Sequence, residues 1–306
     1  MTKHVAVLMG GWSAEREVSL VSGAAVAKSL KAQGHKVTTI DIGRNVSELL
    51  AALHPRPNVV FNALHGRFGE DGVVQGMLEI LGIPYTHSGV LASALAMDKP
   101  VARRLFRDAG LNVAEGLVLS RKDVLAGGFM KPPYVIKPIN EGSSVGVRIV
   151  HPGDNQRPFD DTSWPYGEQV LIERYIPGRE IQVAVMGDKA LGAIEIRPKS
   201  GFYDYEAKYT AGKADHLMPA PIAPKAYDDA LRVALTAHRT LGCRGVTRTD
   251  LRYDDTEGGT GQFVVLEVNT QPGMTPLSLV PEIAAHQGIS FDQLVSMIVE
   301  DASCPR

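Results

Sequence analysis

The chain has 306 residues, 44% of them hydrophobic and 22% charged, with a formal net charge of −2. That length suits two or three core-forming units, and the composition is that of an ordinary globular protein. A charge so near neutral argues against a nucleic-acid or membrane-surface partner, and no apolar run reaches transmembrane length.

Residues 5–9, Val-Ala-Val-Leu-Met, form a continuous apolar run suited to a strand buried on both faces of a parallel sheet. The run is too short for a signal segment, so a reducing, cytoplasmic setting is the default. The cysteines agree with it: Cys243 and Cys304 have no metal-like spacing and make no disulfide framework. One is expected semi-buried and the other in a loose tail. Gly10-Gly11 breaks the strand, and Ser13 is placed to cap a helix over residues 14–33, closed by Gly34. Strands over 37–42 and 58–64, with a short helix over 47–53 between them, complete a β-α-β-α-β alternation and so an open, mostly parallel sheet. No G-x-G-x-x-G follows the first strand, which removes the dehydrogenase reading. Glu15 stands there instead. It either meets a ligand beyond the strand ends or complements the helix dipole. His65, in the loop His-Gly-Arg-Phe-Gly-Glu-Asp-Gly over 65–72, is a site residue or a satisfied loop histidine. A helix over 73–81 and a short strand over 83–85 end the first unit near residue 90. Residues 89–110 are helical, with a break and restart at Asp98-Lys99-Pro100.

The second unit centres on residues 134–147. A strand ends in Lys137-Pro138, a Gly/Ser loop follows, and a strand resumes over 145–150. Backbone N–H groups at Gly142, Ser143, Ser144 and Gly146 suit phosphate oxygens, with Lys137 as the point charge beside them, although such loops are also common hairpin turns. In the strand over 170–176, Glu173 interrupts an apolar run, as an edge-strand solubiliser or a ligand group. The third unit opens with a hairpin over 180–186 and 190–196, turned by Gly187-Asp188. A long polar loop over 197–218 follows, and loops of that length are usually lids or binding loops. Then come an amphipathic helix over 225–241, a second hairpin, and two C-terminal helices from residue 279.

The second hairpin carries the chemistry. Its runs, 247–253 and 262–269, flank a polar, Gly-rich turn. With the turn centred between Gly258 and Gly259, Asp250 faces Glu267 and Arg248 faces Asn269, all on one face of the ribbon. Two opposed carboxylates repel unless a cation sits between them, and carboxylate and amide oxygens are the ligands Mg²⁺ takes. A tight turn, residues 269–274, follows this acidic face.

With Lys137, Glu173, Asp250, Glu267 and Asn269 in this order, the chain resembles the ATP-grasp superfamily and, within it, the bacterial D-alanine–D-alanine ligases. The resemblance spans essentially the whole chain. It rests on six motifs in sequence: residues 10–19, 65–72, Met97-Asp98-Lys99, Glu141-Gly-Ser-Ser-Val-Gly146, Tyr203-Asp-Tyr-Glu-Ala-Lys-Tyr209, and Glu267-Val-Asn-Thr-Gln-Pro-Gly-Met274. It implies an α/β (α+β) fold of three domains. These are a Rossmann-like domain over 1–97, a small central domain over 98–179, and a C-terminal catalytic domain over 180–306 with an antiparallel sheet and a lid loop over 197–218. ATP would lie between the second and third. Lys99 and Lys137 would meet its phosphates, Glu173 its adenine, Glu180 its ribose and Lys208 its γ-phosphate, with the backbone of Arg174 and Ile176 at the base. Asp250, Glu267 and Asn269 would hold two Mg²⁺ (or Mn²⁺) ions.

The implied substrates are two D-alanine molecules, joined through an acyl phosphate. Glu15, with His65 nearby, would hold the first ammonium, in a chain with Ser143 and Tyr209. Arg248 and the Gly273 N–H would stabilise the oxyanion. Ser278 and the Leu279 N–H would take the second carboxylate. A homodimer is the family expectation. The stretches 123–131 and 151–169 are shorter and richer in Gly and Pro than the family pattern. Two rivals remain: a D-alanine–D-lactate or other carboxylate–amine ligase on the same fold, and a nucleotide-binding module without catalysis.

Overall fold

The structure, a computed structural model, describes residues 2–142, 146–154, 164, 166–199 and 212–306. The expected first strand, β1 (His4–Gly10), lies at the centre of a three-stranded parallel sheet, between β2 (Lys36–Ile42) and β3 (Val59–Asn62). Its continuous apolar run has a physical reason. Ala6 and Leu8 face one core with Ile40, Ile42 and Val60, whereas Val5 and Val7 face another with Phe61. Helices α1 (Arg16–Ala32), α2 (Val46–Ala52) and α3 (Val73–Leu81) follow the sheet's strands. Ser13 does not cap α1. The N-cap position is Glu15, whose side chain makes no capping bond, and the Ser13 hydroxyl instead donates to the His65 carbonyl at 2.7 Å. The chain turns into the helix two residues later than expected because Ser13 ties two loops together. Residues 83–85 form no full strand. Tyr85 bridges Val60 on one side and Ser303 on the other.

Helix α4 (Val90–Met97) stops at Asp98, whose carboxylate caps α5 (Lys99–Asp108) by accepting from the Val101 N–H at 3.0 Å. Beyond them a four-stranded antiparallel sheet has the order β4-β7-β5-β6, from β4 (Gly116–Ser120), β5 (Tyr134–Pro138), β6 (Arg148–Val150) and β7 (Gln169–Arg174). Strand β7 is interior, so Glu173 is no edge-strand solubiliser. Helix α6 (Arg121–Ala126) covers a small core of Val124, Tyr134, Ile136, Val150, Val170 and Ile172.

The third sheet is five-stranded and antiparallel, in the order β10-β9-β8-β11-β12. It comprises β8 (Arg179–Met186), β9 (Lys189–Pro198), β10 (Ala214–Leu217), β11 (Val246–Tyr253) and β12 (Phe263–Asn269). Strands β9 and β10 correct the reading of 197–218 as one long loop: Asp215 pairs with Arg197 and Leu217 with Glu195, so both ends of the segment belong to the sheet. Helix α7 (Pro224–Thr240) packs with α5 against the face carrying Ile181, Val183 and Leu251. Helices α8 (Leu279–His286) and α9 (Phe291–Asp301) bury their apolar sides against both Val5, Val7 and Phe61 of the first sheet and Ala184 and Ile194 of the third. One core thus joins the first and third sheets, and the central sheet keeps a separate one. The C-terminal segment is not loose. Arg306 donates to the His87 carbonyl and pairs with Asp301, and the half-buried Cys304 thiol donates to Glu79. Cys243 is more deeply buried than expected, and burial pushes its thiol up to about 12.

Candidate active site

Between the central and third sheets lies a cavity of about 880 Å³, within the range of small-molecule sites. Lys99, Lys137, Glu173, Arg174, Ile176, Glu180, Asp250 and Glu267 all line it. Lys99 projects from the first turn of α5. Its ammonium donates to the Glu141 carbonyl and stands 3.9 Å from Glu267. Burial lowers its pKa, with Lys137 adding to the effect and Glu267 opposing it. Lys137, next to last in β5, pairs with Glu173, whose second oxygen meets Arg103 Nε at 2.6 Å. One buried carboxylate therefore holds two buried cations.

On the floor, the predicted register holds: Arg248 opposes Asn269 and Asp250 opposes Glu267. A bulge immediately beyond Asp250 shifts the rest, so that Leu251 opposes Val265. Asp250 is buried and bound by Arg248 through Nε at 2.7 Å and Nη2 at 3.0 Å. The Asn269 side-chain oxygen accepts the Gln271 N–H at 2.8 Å, which leaves it a second lone pair. Among the described residues no three His, Cys, Asp or Glu side chains gather as a metal cluster. This set is two carboxylates and an amide oxygen. All are hard ligands, and the opposed carboxylates are already drawn to nearby cations, so the residues fit a divalent ion.

A second cluster lies beyond the carboxyl ends of β1 and β3. A small cavity of about 30 Å³ shares Lys99, Glu141 and Glu267 with the large one and reaches Glu70, Gly142 and Asn269. Glu15 is buried between two glycines. A Cβ would sit 2.8 Å from its Oε2 at Gly66 and 3.0 Å at Gly142, so both loops approach the carboxylate closely, and Gly66, at φ +71°, also needs the conformational freedom of glycine. His65 is bonded through Nδ1 to Glu70 at 3.1 Å and lies 3.3 Å from the Ser22 hydroxyl. Burial lowers its pKa, but the Glu70 hydrogen bond and charge outweigh that and leave it raised. Ser22 also accepts the Met274 N–H at 3.1 Å, linking this cluster to the turn after β12. In that turn a Cβ on Gly273 would come within 2.7 Å of the Ser278 hydroxyl, and Leu279 starts α8.

The structure thus gathers Glu15, His65, Lys99, Glu267 and Asn269 around two adjoining cavities, with Gly273, Ser278 and Leu279 reached through Ser22 and Met274. Ser143, Lys208 and Tyr209 lie outside the described residues. Sequence reasoning missed Arg103, Ser22 and Arg252. Only Arg252 carried a signal, being two residues past Asp250 on the same strand and hence on its face.

Three sheets in this arrangement, with a charged cleft between the second and third, define an ATP-grasp protein. Residues 46–88 match the family described as D-ala D-ala ligase N-terminus, and residues 105–300 match D-ala D-ala ligase C-terminus. The chain is 59% identical to a D-alanine--D-alanine ligase of Methylocella silvestris over the full length of both, and 60% identical to one of Paramagnetospirillum magneticum over 99% of this chain and 100% of that one. Among solved structures, the Bacillus anthracis D-alanine--D-alanine ligase complexed with ATP superposes with a TM-score of 0.81 at 32% identity, covering 98% of this chain and 97% of that one. The VanG D-Ala:D-Ser ligase of Enterococcus faecalis gives 0.80 at 30% identity, covering 98% and 99%. The chain belongs to the D-alanine–D-alanine ligase family.

Proposed function

We propose that this protein joins two D-alanine molecules, with ATP converted to ADP and phosphate, to supply the dipeptide of peptidoglycan precursors. The observation that carries the reading is that Lys99, Glu141 and Glu267 line both cavities, so that the charged end of the large cleft adjoins the cluster of Glu70 and Gly142 beside Glu15 and His65. In the first step a D-alanine carboxylate oxygen attacks the γ-phosphorus and ADP leaves. In the second, the amine of the other D-alanine, having lost a proton, attacks the acyl carbon and phosphate leaves.

Lys99 and Lys137 neutralise phosphate oxygens. Glu173 with the Arg174–Ile176 backbone takes the base, and Glu180 takes the ribose. Asp250, Glu267 and Asn269 hold two Mg²⁺ or Mn²⁺ ions, which supply charge neutralisation and orientation for phosphoryl transfer. Glu15 binds the first ammonium beside His65. Arg248 and the Gly273 N–H stabilise the oxyanion, while Ser278 and the Leu279 N–H receive the second carboxylate. Ser143, Lys208 and Tyr209 keep the roles that the family resemblance gives them. Segments 1–97, 98–179 and 180–306 are the three functional domains, and the protein works as a cytoplasmic homodimer. Among the described residues no helix is long and apolar enough to cross a membrane. ADP release measured with D-alanine, L-alanine and D-lactate offered separately tests the reading. D-alanine alone should support equal yields of ADP and dipeptide, and no turnover with it would overturn the proposal.

A further inference from the structure

Arg252 belongs to none of the roles above, yet it occupies a junction. It follows Asp250 by two residues on β11, faces the same cavity, and opposes Glu180 across the ladder to β8. Its side chain is only 17% exposed. Nε donates to the Ile176 carbonyl at 3.1 Å and Nη2 to the Gly178 carbonyl at 2.8 Å, while Nη1 stands 3.8 Å from Glu180 Oε2. Residues 175–178 carry the chain from β7 in the central sheet to β8 in the third. One guanidinium therefore spans the crossover between the two sheets and a carboxylate on the cavity wall. The other Glu180 oxygen accepts from Gln182 Nε2 at 3.3 Å, so the carboxylate is held from two sides. The crossover is also pressed close. Gly178, at φ +89°, leaves no room for a Cβ beside the Tyr253 carbonyl.

We infer that Arg252 is a positioning residue for the ribose end of the nucleotide, a role that rests on the cavity being the ATP site. The planar guanidinium presents its donors in a rigid fork, which fits two carbonyls and a carboxylate at once. The two carbonyls lie outside the strand ladders and need donors. A carboxylate aimed before the ligand arrives loses less freedom on binding, and that difference appears as affinity. Arg252 thus acts through Glu180 and the crossover backbone, without itself contacting the reacting atoms.

The test compares wild type with Arg252→Met and Arg252→Lys, using ATP and 2′,3′-dideoxy-ATP, which lacks both ribose hydroxyls. With Met, the KM for ATP should rise about tenfold, the scale of one charge-assisted hydrogen bond, while kcat at saturating ATP falls by less. The KM for the dideoxy analogue should rise less than about threefold, because a contact that is absent cannot be lost twice. The KM for D-alanine should move by less than that for ATP. Lysine, keeping the charge but not the fork, should fall between the two. If Arg252→Met fails to fold, the lysine variant carries the comparison alone. Equal losses with both nucleotides would make Arg252 a structural clasp and overturn the inference. Failure of wild type to use ATP would instead overturn the proposed function beneath it.

Discussion

Glu173→Gln is the sharpest test of how the nucleotide cleft is built. The carboxylate is buried, and it holds Arg103 through one oxygen and Lys137 through the other. Glutamine keeps the shape and removes the charge, leaving two cations facing each other in a buried setting. Breaking a buried pair in this way costs roughly 3–5 kcal/mol. The lower end applies here, because Lys137 also lines the large cavity and can turn towards water. The small core of the central sheet gives it little margin against such a loss. Of the two tryptophans, Trp164 packs against that core and Trp12 belongs to the first unit. In a Trp12→Phe background, urea unfolding followed by fluorescence therefore reports the central sheet. A destabilisation of about 3 kcal/mol is expected, mostly regained in the Glu173→Gln, Arg103→Met double variant, since one remaining cation can be hydrated. A loss below about 1 kcal/mol, or a double variant no better than the single, would show that the triad is not the electrostatic centre of this wall.

Glu267→Gln should leave stability intact, because it relieves the opposition to Asp250, yet abolish divalent-metal-dependent ADP release; retained turnover would remove the hairpin from the metal site. Glu15→Gln should raise the apparent KM for the first D-alanine with ATP binding nearly unchanged, and a loss confined to ATP affinity would make Glu15 a helix-start residue. Burial lowers the pKa of His238 from 6.5 to about 4. The unfolded chain therefore binds a proton that the folded one refuses, so stability should fall as pH drops from 6.5 towards 4, by on the order of 3 kcal/mol from this group. His238→Gln should flatten that slope in urea titrations across the window, and an unchanged slope would contradict the assignment.

The hairpin shows how local sequence rules can succeed for an incomplete reason. A turn centred between Gly258 and Gly259 yields the observed pairing of Asp250 with Glu267, but Tyr253 pairs with Phe263, which centres the ladder at Gly258. The bulge on β12 restores the pairing at the site by adding one residue there. Bulges next to functional positions re-aim side chains, and nothing in the run Val-Val-Leu-Glu announces this one. The break between α4 and α5 was legible because the Asp98 cap and Pro100 act within a few residues, whereas α6 was not foreseen. Ser13 was misread because its partner, His65, lies 52 residues away. The burial of Glu173, the pairing of β10 and the anchoring of Arg306 likewise depend on contacts distant in sequence. Local propensity carries no information about them.

The candidate carboxylates of the cleft share one physical feature: each stands beside a cation of the same wall. Glu173 has Lys137, Glu267 has Lys99, Asp250 has Arg248 and Glu180 has Arg252. A nucleotide brings several negative charges and divalent ions bring positive ones. Under the proposed reading, lysines turn from carboxylates to phosphates as carboxylates turn to metal. Binding then becomes an exchange of ion pairs in which few charges are stripped of partners at any stage. That matters because an unpaired charge in a partly buried cleft is costly, whereas a repaired one is nearly neutral. Asp250 and Glu267 could be found from sequence because they oppose each other on one ladder, whereas Glu173 and Glu180 took their roles from the family pattern and Arg103 gave no signal at all. Opposition within one hairpin is a local signal, but Lys99 and Arg103 reach Glu267 and Glu173 from α5, and only the fold brings them there.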